Sequence, residues 1–275
     1  MTLVQHTTNP LLAALPTDPR IVELGQPLFT GMPCSPNHPG FRMTLARRHG
    51  DMVRPDGGSA ANEVIITGGH VGTHIDALSH VSHNGLLHGG VDAAQAQTGG
   101  SFSQHGAEHT PALVTRGVLL DVAAALGTGT LPGGYGVTAA DLSKAAELGG
   151  AEPREGDVAV VRTGWARHFD DPVAYLGKES GVPGITEEAG EWLAERGVRA
   201  VGCDTTACEQ IPPGAGHSVL PVHRLLLVDR GIYIMEHLAL EDLAATGVHE
   251  FLFIVAPLRI VGGTGSPIRP LAVVA

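Results

Sequence analysis

Short runs rich in Val, Ile and Leu recur along the chain at Arg20–Leu24, Glu63–Thr67, Val118–Val122, Asp157–Arg162, Arg199–Cys203, Gly231–Met235, Phe251–Ala256 and Leu271–Ala275. Each is bounded by Gly, Pro or Asp, which predicts short buried strands. From about residue 138 the pattern switches between strand-like and helical periods. Thr138 with Asp141 forms a capping box and Gly149 a stop; Thr186 caps a second helix whose apolar face includes Ala189, Trp192 and Leu193 and which ends at Gly197. Further helices are expected over Pro221–Asp229 and Leu240–Thr246. Alternating strands and helices predict an α/β fold. Residues 1–19 read as a leader packing on the body, and residues 20–275 as one domain without internal repeat or linker. Ser101–Pro111 reads as a polar loop.

Composition narrows the function. The net charge is −11 and no run of Lys or Arg interrupts it, so the clustered cations that nucleic-acid phosphates require are missing. No apolar run approaches a membrane span, and the N-terminal residues do not form a signal peptide. Cys34, Cys203 and Cys208 are odd in number and scattered, from which reduced thiols and a cytoplasmic location are expected. With 38 glycines and 19 prolines, many tight turns around a sheet are expected.

The chemistry concentrates in His70-Val-Gly-Thr-His74-Ile-Asp76-Ala-Leu-Ser-His80; with His83 and His88, one short stretch holds five of the fifteen histidines. Imidazole and carboxylate together suit Zn or Mn. The Gly and Thr between His70 and His74 predict a strand leading into a tight loop. Extended backbone aims His74 and Asp76 the same way, so His70, His74 and Asp76 could hold a divalent ion with positions open for water. His80 could be a fourth ligand or, as favoured here, the general base that carries the proton. His83 and His88 read as loop residues facing water or substrate.

A second group lies far along the chain. Asp204 and Glu209 follow a strand, where α/β proteins place binding groups; each could face substrate, or serve as a cap or a surface charge. Glu236 ends an apolar run and needs a partner, a metal or an imidazole, and His223 precedes it. Phe41, Phe102 and Trp165 are candidate pocket walls or core residues. Gly68-Gly69 and the glycines at 262, 263 and 265 lack phosphate-loop spacing. Gly216-His-Ser-Val-Leu220 falls short of a nucleophile elbow, which argues against a serine hydrolase.

The His70–His80 motif resembles the metal-dependent cyclase family that includes bacterial kynurenine formamidase and isatin hydrolase. Asp157–Trp165, Pro183–Thr205, His223–Glu236 and Phe251–Pro267 extend the resemblance over most of the chain. It implies a swivelling β/β/α fold, a hydrolase opening C–N or C–O bonds of amides, cyclic amides or lactones, and a homodimer or homotetramer acting on a small molecule. By the resemblance, His70, His74 and Asp76 hold the first ion and His80 is catalytic. Asp76 would bridge to a second ion at His223 and Glu236 where two zinc ions are bound; one manganese suffices in isatin-hydrolase-like members. The expected reaction is attack by a metal-activated water, with His80 first taking and then returning the proton. Rival readings are a metal-dependent lyase or cyclase in a small-molecule pathway, and a non-catalytic metal or ligand binder.

Overall fold

The computed structural model describes residues 18–218 and 220–274. The expected leader therefore lies outside the described residues apart from Asp18 and Pro19, as does Ala275 at the end of the last expected strand. In chain order the strands are β1 (Arg20–Glu23), β2 (Arg42–Arg47), β3 (Asn62–Ile66), β4 (His74–Asp76), β5 (Gln97–Thr98), β6 (Ser101–Phe102), β7 (Leu113–Asp121) and β8 (Gly136–Val137). They continue with β9 (Val158–Arg162), β10 (Gly184–Ile185), β11 (Ala200–Cys203), β12 (Tyr233–Glu236), β13 (Glu250–Val255), β14 (Gly265–Pro267) and β15 (Leu271–Val274).

Nine of them form one sheet in the order β1-β15-β13-β7-β9-β11-β12-β4-β14. Its centre, β7-β9-β11-β12, is parallel, and the flanks are antiparallel. The central strands are apolar on both faces because both are covered. Val118, Leu120, Ala159, Val161, Val201 and Ile234 face the helices 139–149 and 187–195 and the turn at 221–230. Their alternates Leu119, Val158, Val160, Ala200 and Met235 face the other way. There they meet Val22 of β1 and Ile75 of β4, the first strand and the last but one in the sheet order. One cluster can hold residues from both flanks only if the sheet curls. Leu24 ties the curl, donating its N–H to the Pro270 carbonyl and accepting from Ala239 N–H, at 3.0 and 2.9 Å. This is the α/β architecture expected from the chain, with its sheet curled.

The differences from the sequence reading are local. Residues Pro221–His223 form a single α-turn that continues as a π-helical segment, Arg224–Arg230, rather than a regular helix. The strand expected before the tight turn at His70–His74 comes after it, as β4. The hairpin β2–β3 has every strand residue exposed, so nothing in the apolar pattern marked β2. Cys203 and Cys208 are joined by a disulfide, which corrects the expectation of three reduced thiols. The turn between them, with Cys208 in the left-handed region (φ 57°), brings their Cα atoms to 4.8 Å, within disulfide reach. No helix among the described residues is long and apolar enough to cross a membrane.

Candidate metal centre

Strand β4 is three residues long and its parity does the first placement. Ile75 enters the core, while His74 and Asp76 emerge together on the other side. Register does the second. Glu236, the last residue of β12, lies opposite His74, and Gly265 of β14 lies opposite Asp76. His70 arrives from the turn before β4, and His223 from the α-turn.

Asp76 sits at the middle of this group. Its Oδ1 is 2.7 Å from His70 Nδ1 and 3.4 Å from His74 Nε2; its Oδ2 is 3.6 Å from His223 Nε2. Glu236 reaches His223 Nε2 at 3.2 Å and His74 Nε2 at 3.5 Å. The remaining nitrogens are anchored: His74 Nδ1 by the Gly72 carbonyl at 2.8 Å, His223 Nδ1 by Glu209 at 2.5 Å. The Nε2 atoms of both therefore point at the carboxylates, the orientation that a hydrogen bond to the far nitrogen imposes on a ligating histidine. Three sets of donor atoms lie within 4.8 Å of one another: His70, Asp76 and His80; Asp76, His223 and Glu236; and His74, Glu236 and His237.

The electrostatics match. Burial would raise the Asp76 pKa, but the charge of His80 and hydrogen bonds from His70 and His74 outweigh it, holding the carboxyl well below its ordinary range. For His223, burial opposes protonation, yet Glu209 and Glu236 raise its pKa well above the usual value; for His74, Asp76 and Glu236 do the same against burial. His80 differs: burial lowers its pKa to about 3 against the pull of Asp76. Its ring stacks on His70 with centroids 3.9 Å apart.

One observation tests the fit of a cation. Asp76 Oδ2 is buried and lacks a hydrogen-bond partner among the described residues. A buried carboxylate oxygen without a partner is costly, and a divalent ion among these nitrogens and oxygens would satisfy it. Zinc and manganese both suit such a donor set.

Gly265 is part of the same construction. A Cβ at this position would lie 2.5 Å from His70 Cε1 and 2.9 Å from both ring nitrogens. Gly265→Ala is therefore expected to displace the His70 ring and weaken metal binding about 10- to 100-fold, by analogy with loss of an orienting contact. Metal titration by calorimetry checks this; unchanged affinity would show that His70 does not need the surface of Gly265.

The cavity over these residues has a volume of about 200 Å³. His70, His74, His80, His223 and Glu236 line it, together with His38, His217 and His237, which the sequence reading passed over. His38 comes from a loop with no periodic signal and stacks on His70 at 5.3 Å. Strand parity would send His237 away from the side of its neighbour Glu236. A left-handed φ of 56° turns it into the cavity instead. Its Nδ1 is buried and unpartnered, and burial, then the His74 charge, lowers its pKa well below the usual value.

The other candidates stand behind the cavity. Asp204 accepts from Thr163 N and Oγ1 and Gly164 N, at 2.9, 2.6 and 2.8 Å. Burial raises its pKa to about 6 against those bonds. Glu209 is buried rather than a surface charge; it accepts from Val222 N and His223 N, capping the α-turn, and orients the His223 ring. Phe41 and Trp165 lie in a small apolar cluster with Met32 and Tyr175, and the Trp165 indole donates to the Tyr175 carbonyl at 2.8 Å. None of these four residues lines the cavity, so the reading of them as substrate contacts gives way to support of the site from behind. His83 is exposed in a turn, Phe102 packs in a small cluster beside Leu87, and His88 bonds the Val228 carbonyl.

The chain is similar to known proteins in sequence and in fold. Residues 22–210 match the model of the family described as "Putative cyclase". The chain is 36% identical over 138 residues to an isatin hydrolase of Roseibium aggregatum, a match covering 49% of this chain and 51% of that protein. The match thus spans about half the length of that curated relative. Among solved structures, a novel cyclase is 30% identical with a TM-score of 0.85, covering 96% of this chain and 90% of its own. An isatin hydrolase bound to the product analogue thioisatinate is 26% identical with a TM-score of 0.70, covering 96% and 94%. With the family model matched over more than half of the chain and the His–Asp–His–Glu cluster assembled by the register of β12, β4 and β14, the chain belongs to the cyclase family.

Proposed function

We propose that the protein is a metal-dependent hydrolase that opens a cyclic amide or lactone of a small molecule. The observation that carries the reading is the bare, buried Asp76 Oδ2 at the centre of converging imidazoles and a second carboxylate. The likeness to an isatin hydrolase, and to a solved isatin hydrolase bound to a product analogue, supports the substrate class. His70, His74 and Asp76 would hold a first ion and Asp76, His223 and Glu236 a second. Zn or Mn in such a site lowers the pKa of water and polarises a carbonyl.

The chain's own residues divide the remaining work. Asp76 and Glu236 supply the negative charge that makes the buried site cation-selective. Gly72 and Glu209 hold the His74 and His223 rings, so no reorientation is needed during reaction. His80 lines the cavity and makes no side-chain hydrogen bond to the described residues, which leaves its ring free to accept a proton. It takes one from the attacking water as oxygen bonds the carbonyl carbon. It returns that proton to the departing nitrogen or oxygen as the C–N or C–O bond breaks.

Hydrolysis in heavy-oxygen water, with the protein loaded with Zn or Mn, tests the reading. One solvent oxygen should enter the acid product; turnover without solvent oxygen would favour the lyase or cyclase reading. His80→Ala should lower kcat about 10²- to 10⁴-fold with metal content unchanged. Loss of metal instead would make His80 a ligand, and unchanged turnover would remove it from the reaction. Self-association belongs to the same reading: Met43, Leu45 and Ile65 share one exposed face of hairpin β2–β3, a surface a second copy would cover in a homodimer or homotetramer.

A further inference from the structure

A second cavity of about 530 Å³ adjoins the first, with Ser35, Asn37, Thr206 and His217 common to both linings. The inner one, at about 200 Å³, holds all the candidate metal-binding side chains that line either cavity. The outer one is walled by Cys34, Pro36, Leu176 and Ile211, an apolar lining with no part in the proposed chemistry. Cavities of this size and lining take the body of a ligand, and a few placed polar groups fix its orientation.

Two polar groups stand where such a ligand would need them. Thr206 lines both cavities, and its hydroxyl is buried without a hydrogen-bond partner. An unsatisfied hydroxyl at the junction can bond the polar group that joins the reacting head of a ligand to its body. Lys178 lines the outer chamber. It is one of only two lysines in a chain of net charge −11, and it forms no ion pair with a described residue. In so acidic a chain, a cation left unpaired beside an apolar chamber is suited to an anion brought by the ligand.

Building on the hydrolase reading above, we infer that the substrate is an extended molecule. Its cyclic amide or lactone head enters the histidine-lined cavity, its apolar body fills the chamber of Leu176 and Ile211, and an anionic group at its far end pairs with Lys178. A compact ring alone would leave the outer chamber without a ligand.

The test is a series of lactones bearing n-alkyl chains of increasing length, each ending in methyl or in carboxylate, measured with the metal-loaded protein. Each added methylene should raise kcat/KM about fourfold, carried by KM, until the chamber is full. Carboxylate-ended members should exceed methyl-ended ones of equal length about two- to fivefold, the range of an exposed ion pair, and Lys178→Met should remove that ratio. Leu176→Trp, which narrows the chamber, should flatten the dependence on chain length. A flat or falling series in the wild-type protein, or a carboxylate preference unaltered in Lys178→Met, overturns the inference. Calorimetric titration of the same compounds separates the two readings. Affinity that grows with chain length but without hydrolysis of any member would sink the hydrolase reading and uphold the chamber. Hydrolysis of short and long members alike, with no gain in affinity, would do the reverse.

Discussion

Asp76→Asn is expected to abolish turnover to within about one part in a thousand of the wild-type kcat/KM and to strip the protein of bound metal. The substitution keeps the shape of the side chain and removes its charge. Asp76 is the common member of two of the three donor sets and faces four histidines: His70, His74, His80 and His223. An amide offers one neutral oxygen, and its NH₂ group would confront the ring nitrogens of His223 or His70. A metal ion contributes several kcal/mol of stabilisation to a hydrolytic transition state, and each 1.36 kcal/mol is about a factor of ten in rate. Steady-state kinetics with elemental analysis checks this. Activity within tenfold of wild type at full metal content would show that the cluster is not the reactive centre.

Arg162→Met should give the largest loss of stability, about 3–5 kcal/mol, the usual cost of breaking a buried ion pair from one side. Arg162 ends β9, is 4% exposed, and donates to Asp121 Oδ1 at 2.7 Å and to both oxygens of Glu241 at 2.8 and 2.9 Å. Burial works against its charge, but Glu241 and Asp121 hold the guanidinium pKa well above its ordinary value. Methionine fills similar space and leaves Asp121, itself buried, with only its cap bond to Ala124 N. Glu241→Gln should cost about 1 kcal/mol or less, because the Glu241 side chain is 30% exposed and water can replace its partner. Urea denaturation reads both, and a shifted midpoint at unchanged slope is the expected form. The effect bears on the site as well. The next two residues, Thr163 and Gly164, hold Asp204, whose carbonyl in turn accepts the Tyr175 hydroxyl beneath His237.

Much of this was legible along the chain. Val118–Val122, Asp157–Arg162 and Arg199–Cys203 are apolar at successive positions, as strands covered on both faces must be, and they became the parallel centre of the sheet. The caps at Thr138 and Thr186 are local hydrogen bonds between near neighbours and fell where the residue types put them. The common aim of His74 and Asp76 follows from the two-residue period of a strand, whatever surrounds it.

What stayed hidden is what needs distant partners. The pairing of Glu236 with His74 is a register between strands 162 residues apart in the numbering, and nothing local encodes it. In the sequence Glu209 could face substrate or be a surface charge; only the approach of the Pro221–His223 turn makes it the group that caps that turn and orients His223. His237 is aimed by one left-handed residue against strand parity, and Cys203 meets Cys208 through a turn of the same kind. The chain alone thus determined the α/β class, the central strands and the common aim of His74 and Asp76, because these rest on local periodicity and local hydrogen bonding. Which side chains share one cavity was decided by strand order and register, because pairing β12, β4 and β14 side by side, with the turn at 221–223 set against them, is what brings these residues to a common point.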